Sequence, residues 1–152
     1  MKIISHRGNV SGPLSEKEND PNYIDIALNL GYDIEVDIRS IDNQLWLGHD
    51  EPQYKVDHRW IDKRRHFLWL HCKNIAAAKE CWAYHSFCHS EDSFVYTSVG
   101  KIWMHGKCKT FDELDNSTVI PLIDKNDIEY FMEKKSTIPY AICTDYPIVL
   151  KD

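Results

Sequence analysis

The fold depends on residues 32–39, which read Tyr32-Asp33-Ile34-Glu35-Val36-Asp37-Ile38-Arg39. Apolar and charged side chains alternate along this stretch, which is the pattern of a β-strand, because successive side chains of a strand point to opposite faces. Two of the acids, Glu35 and Asp37, would lie about 7 Å apart along the strand, close enough to share one cation. The stretch alone leaves two interpretations open: an edge strand with a solvated acidic face, and a strand whose acidic face lines a functional site.

The composition is that of an ordinary globular protein. The chain has 152 residues, of which 43% are hydrophobic and 28% charged, and this length predicts one domain over residues 1–152 with a core of its own. The formal net charge of −6 argues against a protein that binds nucleic acid by neutralising phosphates. A local cationic pocket for a single phosphate remains compatible with this charge.

The cysteines and the apolar runs predict where the protein resides. Five cysteines occur without a C-x-x-C pair, and we interpret them as reduced intracellular thiols; they are Cys72, Cys81, Cys88, Cys108 and Cys143. No apolar run approaches the roughly 20 residues that span a bilayer, so no transmembrane segment is expected. The first residues hold too short an apolar stretch for a signal peptide. We therefore expect a cytoplasmic protein.

Hydrophobic periodicity predicts alternating strands and helices in the first half of the chain. Residues 2–5 form an apolar strand, a helix begins at Asp20 and Pro21 and ends at Gly31, and two strands follow at 32–39 and 45–47. Residues 67–73 form the next strand, and Asn74 caps a helix. Three short strands at 85–89, 94–97 and 101–104 follow with no helical pattern between them. A strand at 118–123, a helix around 128–132 and a strand at 140–144 complete the prediction, which indicates an α/β fold.

Polar side chains with catalytic chemistry stand at four predicted strand ends. They are His6 and Arg7, Glu35 and Asp37, His49, and His71 with Lys73. In a parallel barrel the carboxyl ends of the strands meet at one face, so these side chains would form one pocket.

The chemistry of this set suits cleavage of a phosphodiester. A divalent ion held by carboxylates polarises a phosphoryl oxygen. Arg7 offers a bidentate fork for phosphate, and Lys73 adds a compact second charge. His6 and His49 are candidates for general acid and base, because imidazole titrates near neutral pH.

The order of these motifs resembles the signature of glycerophosphodiester phosphodiesterases. The matching residues, dense over the first third of the chain, are His6-Arg7-Gly8, Glu18-Asn19, Glu35-Val36-Asp37 and His49-Asp50, with later echoes at Lys73 and at Cys143-Thr144-Asp145-Tyr146-Pro147. The resemblance implies a phospholipase-C-like (β/α)8 barrel. It also implies an acid/base pair of His6 and His49, phosphate contacts from Arg7 and Lys73, and a divalent metal ion on Glu35 and Asp37.

Two features depart from the family pattern. His71 stands where the family usually has a third metal-binding carboxylate, so beside Mg²⁺ or Ca²⁺ we consider Mn²⁺ or another ion. The chain is also much shorter than the roughly 250 residues of an ordinary barrel. We therefore predict a compressed (β/α)8 TIM-like barrel with several outer helices missing, and an incomplete or distorted barrel as the alternative. Exposed apolar strand faces would then favour a homo-oligomer or a partner.

The predicted function is that of a phosphoric diester hydrolase. It is a metal-dependent phosphodiesterase that converts a small glycerophosphodiester-like molecule to an alcohol and a phosphomonoester by histidine acid/base catalysis. Two alternatives stay open: an enzyme of phospholipase-C or -D type that cleaves a lipid- or sugar-linked phosphodiester, and a non-catalytic module that binds a phosphate ligand. We interpret His89, Glu91 and Asp92 as a solvated loop, and His105 carries no functional expectation.

Overall fold

The computed structural model describes residues 1–105 and 111–151. These residues form ten strands, which are β1 (Lys2–His6), β2 (Asp33–Ile41), β3 (Gln44–Leu47), β4 (Tyr54–Val56), β5 (Leu68–Cys72), β6 (Ser86–Phe87), β7 (Phe94–Tyr96), β8 (Ile102–Met104), β9 (Thr118–Pro121) and β10 (Ala141–Thr144). The helices are α1 (Pro21–Asn29), α2 (His58–Asp62), α3 (Ile75–Cys81) and α4 (Lys125–Lys134), and a 3₁₀ helix spans Pro147–Leu150. Strand β4 and helix α2 lie in a polar segment for which the sequence predicts no element.

All ten strands belong to one curled, mixed sheet. Its parallel part runs in the order β6-β5-β2-β1-β10-β9-β8. Strand β7 pairs antiparallel with β8, and β3 pairs antiparallel with both β2 and β4. Strand β2 is long enough to pair with β1 near its start and with β3 beyond the end of β1, while β5 pairs with its other edge.

The predicted compressed (β/α)8 barrel is wrong. The curled sheet forms a half-barrel with only four short helices among the described residues, and it includes antiparallel strands. A parallel connection needs a crossover of a dozen or more residues, usually a helix, whereas an antiparallel pair needs only a tight turn. Residues 86–104 hold three strands with no room for such crossovers, and β7 and β8 pair antiparallel instead.

The alternation of residues 32–39 divides the core into two layers. Ile34, Val36 and Ile38 are fully buried on the outer face of β2, in a cluster that includes Ile24 of α1 and Ala77 of α3. Both helices pack directly on β2. The apolar side chains of residues 32–39 therefore share one face of β2, which packs into a core with α1 and α3.

The inner face of the sheet holds a second apolar cluster. In this cluster Phe87 stacks on Trp103 with ring centroids 4.2 Å apart, and Trp69 meets Trp103 at a tilt of 47° with ring centroids 6.0 Å apart. At the amino end of the sheet Asp33 pairs with Lys2 (2.7 Å) and accepts a hydrogen bond from Trp69 Nε1 (3.1 Å). These contacts of Asp33 close the amino end of the polar face of β2. The other two acids, Glu35 and Asp37, lie toward the opposite end.

Helix starts follow the capping residues that the sequence offers. Asp20 accepts a hydrogen bond from the backbone N–H of Asn22 ahead of Pro21, and Asn74 accepts one from Ala77. Asp124 stands at the N-cap position of α4 without a side-chain capping bond. Among the described residues, no helix has the length and apolar content needed to cross a bilayer.

Candidate active site

A cavity of about 740 Å³ opens at the carboxyl ends of β1 and β5, beside Glu35 of β2. Six of the seven residues that the sequence predicts for the site line it, namely His6, Arg7, Glu35, His49, His71 and Lys73. The seventh, Asp37, is fully buried next to them and forms ion pairs with Arg7, His71 and Lys73. The structure therefore brings the whole predicted set together. His6, Arg7, His71 and Lys73 stand at or next to the carboxyl ends of β1 and β5. Glu35 and Asp37 lie within β2, paired with His6 and His71 at those ends, and β3 leads into His49.

Glu35, Asp37 and His71 form the floor of the cavity. One ligand atom from each lies within 4.8 Å of the others, and among the described residues this is the group with the spacing of a metal site. Glu35 Oε2 and Asp37 Oδ1 are buried and accept no hydrogen bond from a described group. Buried carboxylate oxygens without partners are costly, and a bound cation is one way to satisfy them. The donor set therefore fits a divalent metal ion.

His71 is oriented by its own neighbours. Its Nε2 lies 3.2 Å from the backbone carbonyl of His89, and because a carbonyl only accepts, that nitrogen carries the proton. The ring stacks on Phe87 with centroids 4.8 Å apart and planes 11° apart. Its Nδ1 then faces Glu35 and Asp37, 3.4 Å from an oxygen of each. In the metal-free protein, burial lowers the pKa of His71, but the contacts with Asp37 and Glu35 outweigh burial and raise the pKa to about 9.

Asp37 is held ionised by its surroundings. Burial raises the pKa of this carboxyl, but the contact with His71 and the charges of Arg7 and Lys73 outweigh burial and lower the pKa below its usual range. Asn19 fixes the strand at this point, since its amide donates to Asp37 Oδ2 (3.1 Å) and its oxygen accepts from the Asp37 backbone N–H (2.9 Å). The position that Asn19 fixes is that of a site carboxylate.

Arg7 bridges two carboxylates, those of Asp37 and Glu18. Its Nε lies 2.9 Å from Asp37 Oδ2, and its Nη1 donates to Glu18 Oε2 at 3.0 Å. Lys73 Nζ lies 3.6 Å from Asp37 Oδ1, on the side of β5. Two cations therefore stand beside the carboxylates at the cavity wall, in positions where an anionic group of a ligand would meet them.

His6 and Asp145 form a hydrogen-bonded pair. His6 Nδ1 donates to Asp145 Oδ1 at 2.8 Å, and Asn9 Nδ2 donates to the same oxygen at 2.7 Å. Burial lowers the pKa of His6, but the hydrogen bond to Asp145 and the charge of Glu35 outweigh it, so the pKa is raised. The sequence analysis did not assign Asp145 to the site. Its place after the last parallel strand was the available signal, because the ends of such strands meet at one face.

His49 lies on the loop after β3 and is the most exposed of the predicted residues, with 41% of its side chain accessible. Its Nδ1 lies 2.8 Å from Asp50, whose own side chain is 88% exposed. Arg39 fixes the loop by donating to three successive backbone carbonyls, those of Gly48, His49 and Asp50. Arg39 is thus a positioning residue that the sequence analysis did not assign.

Two further histidines border the cavity. His89 and His105 line it, with ring centroids 5.0 Å apart. The sequence analysis placed His89 in a solvated loop and gave His105 no function. The prediction for His89 is wrong, because its backbone carbonyl contacts His71 and the residue lines the cavity. Burial, together with the charges of His105 and His71, lowers the pKa of His89, so its ring is neutral near neutral pH.

Comparisons of the chain with protein-family models, with curated proteins and with solved structures found no match.

Proposed function

We propose that the protein is a metal-dependent phosphodiesterase that hydrolyses a small glycerophosphodiester-like substrate to an alcohol and a phosphomonoester. The observation that carries the proposal is the joint position of buried Glu35 and Asp37, of two cations and of two histidines around one cavity. The cavity volume of about 740 Å³ lies in the range of small-molecule sites, which run from about 300 to 1,000 Å³.

Glu35, Asp37 and His71 would hold the metal ion. When bound, the ion would supply Lewis-acid polarisation of the phosphoryl group and neutralise part of its charge. Arg7 and Lys73 would bind the phosphate from the two sides of the floor, Arg7 through its planar fork and Lys73 as a point charge. Cations at these positions offset the repulsion between the substrate's phosphate and the two carboxylates.

His6 and His49 would move the protons. The raised pKa of His6 favours its imidazolium, which suits the general acid that protonates the leaving alcohol. His49, on the loop after β3, would take the proton of the attacking water. The water oxygen forms the new bond to phosphorus, the ester P–O bond breaks, and the proton from His6 goes to the departing oxygen. The balance is one water consumed, one alcohol and one phosphomonoester released.

The test is release of alcohol and phosphomonoester from a panel of glycerophosphodiesters with Mg²⁺, Ca²⁺, Mn²⁺, Zn²⁺ or chelator. We expect metal-dependent turnover that Glu35→Gln abolishes, which also controls for contaminating enzymes. Replacing either His6 or His49 by Ala should lower the rate at least about 100-fold. Turnover that is unchanged in the double His variant would overturn the acid/base assignment.

Two other outcomes would redirect the proposal. Hydrolysis of phospholipid vesicles but not of soluble glycerophosphodiesters would move the substrate to the lipid class. Saturable binding of glycerol phosphate without turnover under any of the four metals, in protein shown to be folded, would replace the enzyme with a phosphate-binding module.

A further inference from the structure

The cavity floor carries a mixed set of donor atoms, with oxygens from two carboxylates and one imidazole nitrogen. Glu35 is 2% exposed and Asp37 is fully buried, and each has an oxygen that accepts no hydrogen bond from a described group. Within the described residues, Asp37 Oδ1 forms only ion pairs, with His71 Nδ1 at 3.4 Å and Lys73 Nζ at 3.6 Å. Glu35 Oε2 forms one with His6 Nε2 at 3.8 Å, so both buried oxygens retain the capacity to bind a cation. The identity of that cation depends on the third donor, which is His71.

We propose that this site selects a divalent first-row transition metal over Mg²⁺ and Ca²⁺, with His71 Nδ1 as the selecting ligand. The inference rests on the metal site of the proposed function but needs no catalysis. Mg²⁺ and Ca²⁺ take oxygen ligands almost entirely, whereas imidazole suits Zn²⁺, Fe²⁺, Co²⁺ and Ni²⁺. A site in which one of the three protein ligands is a nitrogen therefore binds Mg²⁺ and Ca²⁺ more weakly and favours the transition ions.

The orientation of His71 is built by two neighbours. Its Nε2 donates to the carbonyl of His89, which leaves Nδ1 as the nitrogen directed toward the carboxylates and available to an ion that displaces its proton. A hydrogen bond on the far nitrogen of a ligating histidine fixes the tautomer and raises its basicity as a ligand. The stack on Phe87 restricts rotation of the ring. Because these contacts exist before any ion binds, the nitrogen donor is already in place.

The charges around the cavity floor also favour a transition ion over Mg²⁺ and Ca²⁺. Arg7 and Lys73 lie 2.9 Å and 3.6 Å from oxygens of Asp37 and offset much of the negative charge of the two acids. Affinity for Ca²⁺ follows the number of charged oxygen ligands, so a floor with two acids and two adjacent cations is a weak site for a hard ion. A transition ion gains in addition from its bond to the imidazole.

The first measurement uses the full chain, stripped of metal and titrated with Co²⁺, whose visible absorption reports its ligands. We expect saturation at one ion per chain. Mg²⁺ or Ca²⁺ in about 100-fold excess over Co²⁺ should leave the absorption unchanged, whereas Zn²⁺ at equal concentration should remove it. Displacement of Co²⁺ by Mg²⁺ or Ca²⁺ at comparable concentration would overturn the proposal.

Two variants assign the selectivity to His71. His71→Glu should narrow the preference for Co²⁺ over Mg²⁺ by about tenfold or more, since all three donors become oxygens. His58→Gln removes an exposed histidine that pairs with Glu80, at 3.6 Å, and should leave the titration unchanged. An unaltered preference in His71→Glu, or loss of the Co²⁺ signal in His58→Gln, would contradict the assignment.

A variant of Phe87, whose ring stacks on His71, covers the case in which His71→Glu fails to fold. Phe87→Leu keeps an apolar side chain but removes the ring stack, and it should lower Co²⁺ affinity about tenfold while far-ultraviolet circular dichroism stays native. Unchanged Co²⁺ affinity in this variant would count against a preorganised nitrogen donor. Selective Co²⁺ binding in a protein without turnover would reject the proposed function alone, and turnover supported equally by Mg²⁺ would reject the selectivity alone.

Discussion

At the residue scale, the same chemical pair occurs twice in different surroundings. His6 and His49 each have Nδ1 2.8 Å from an aspartate oxygen, but Asp145 is buried and Asp50 is exposed. Solvent screens an exposed pair and reduces its energy to a few tenths of a kcal/mol, whereas a buried pair keeps more of its interaction. The two aspartates should therefore differ strongly in their effect on the neighbouring imidazole.

Asp145→Asn should lower the pKa of His6, because it removes the charge that helps to hold the proton on the ring. It should also lower the rate of phosphodiester hydrolysis about 100-fold. NMR titration of His6 and the pH–rate profile measure the two effects. Asp50→Asn is the matched control and should change the rate by less than about threefold. Equal losses in both variants would show that burial of the pair is irrelevant to catalysis.

His71 should make the stability of the metal-free protein depend on pH. Its pKa is about 9 in the folded chain, above the ordinary value of 6.5, so its interaction with the acids is fully present below pH 6.5 and is lost as the pH rises through 9. The lowered pKa of Asp37 reports this contact together with the charges of Arg7 and Lys73, and its contribution to stability is lost only in acid. Urea unfolding with chelator at pH 6 and pH 9.5 should show that His71→Gln costs more at pH 6. A cost independent of pH would contradict the ion pairing.

At the element scale, local capping and turn geometry explain how the loops hold the site. Asn74 caps α3 and also bonds the backbone of Ser40 in β2. Its Oδ1 accepts from the Ser40 N–H, and its Nδ2 donates to the Ser40 carbonyl. Gly48 precedes His49 at φ +145°, where a side chain would meet the backbone carbonyl of Glu51. The close approach at Gly48 is therefore that of the chain itself.

Asn74→Ala should lower the free energy of unfolding by about 1 to 2 kcal/mol, since it removes a cap and the bonds to β2. Asp124→Ala changes the N-cap residue of α4, which makes no side-chain capping bond, and should cost about 0.5 kcal/mol or less. Urea unfolding of the two variants measures the difference. A loss at Asp124 as large as that at Asn74 would refute the role of the Asn74 hydrogen bonds.

Gly48→Ala should destabilise the loop and displace His49, because the added methyl group meets backbone that cannot move independently. We expect a loss of more than about 2 kcal/mol in unfolding free energy together with reduced turnover. Gly31→Ala is the control, since Gly31 also has positive φ, +89°, but nothing lies within 4 Å of the added carbon. Its cost should be limited to the backbone strain of about 1 kcal/mol. Similar losses in both variants would mean that the contact with Glu51 has no effect.

At the scale of the whole molecule, the cavity floor links strands that are far apart along the chain. Glu35 and Asp37 stand on β2, His71 stands on the neighbouring β5, and the cations come from the ends of β1 and β5. An ion bound here would stabilise the folded chain by mass action, since the unfolded chain does not assemble the same ligands.

Addition of Co²⁺ at 100 times its Kd should stabilise the protein by about 2.7 kcal/mol. For a chain of this size that corresponds to a rise in Tm of about 5 to 10 °C. Thermal denaturation with and without the ion measures the shift, and chelator should reverse it. Glu35→Gln should show little of the rise. An equal rise in that variant would place the ion elsewhere.

The residues of the site could be predicted from the sequence because they obey local rules. Alternation along residues 32–39 separated Ile34 and Val36 from Glu35 and Asp37, and the ends of the predicted strands indicated His6 and Lys73. The partners Asp145 and Arg39 were not assigned. The role of Asp145 depends on a contact with His6 across 139 residues, and the role of Arg39 depends on the path of the loop after β3, which returns to Arg39 from 9 to 11 residues away.

The sequence by itself determined most of the stretches that become strands and helices, though not β4 and α2, and it determined which face of β2 carries the acids, because backbone propensity and period-two alternation act between near neighbours. Only the tertiary structure decided that β3, β4 and β7 pair antiparallel, so that a curled mixed sheet forms in place of the predicted barrel. Strand direction and pairing depend on contacts between distant segments and on the length of chain available for each crossover. The pKa values of His6 and His71 were likewise decided by the fold, since burial and neighbouring charges exist only once the strands have met.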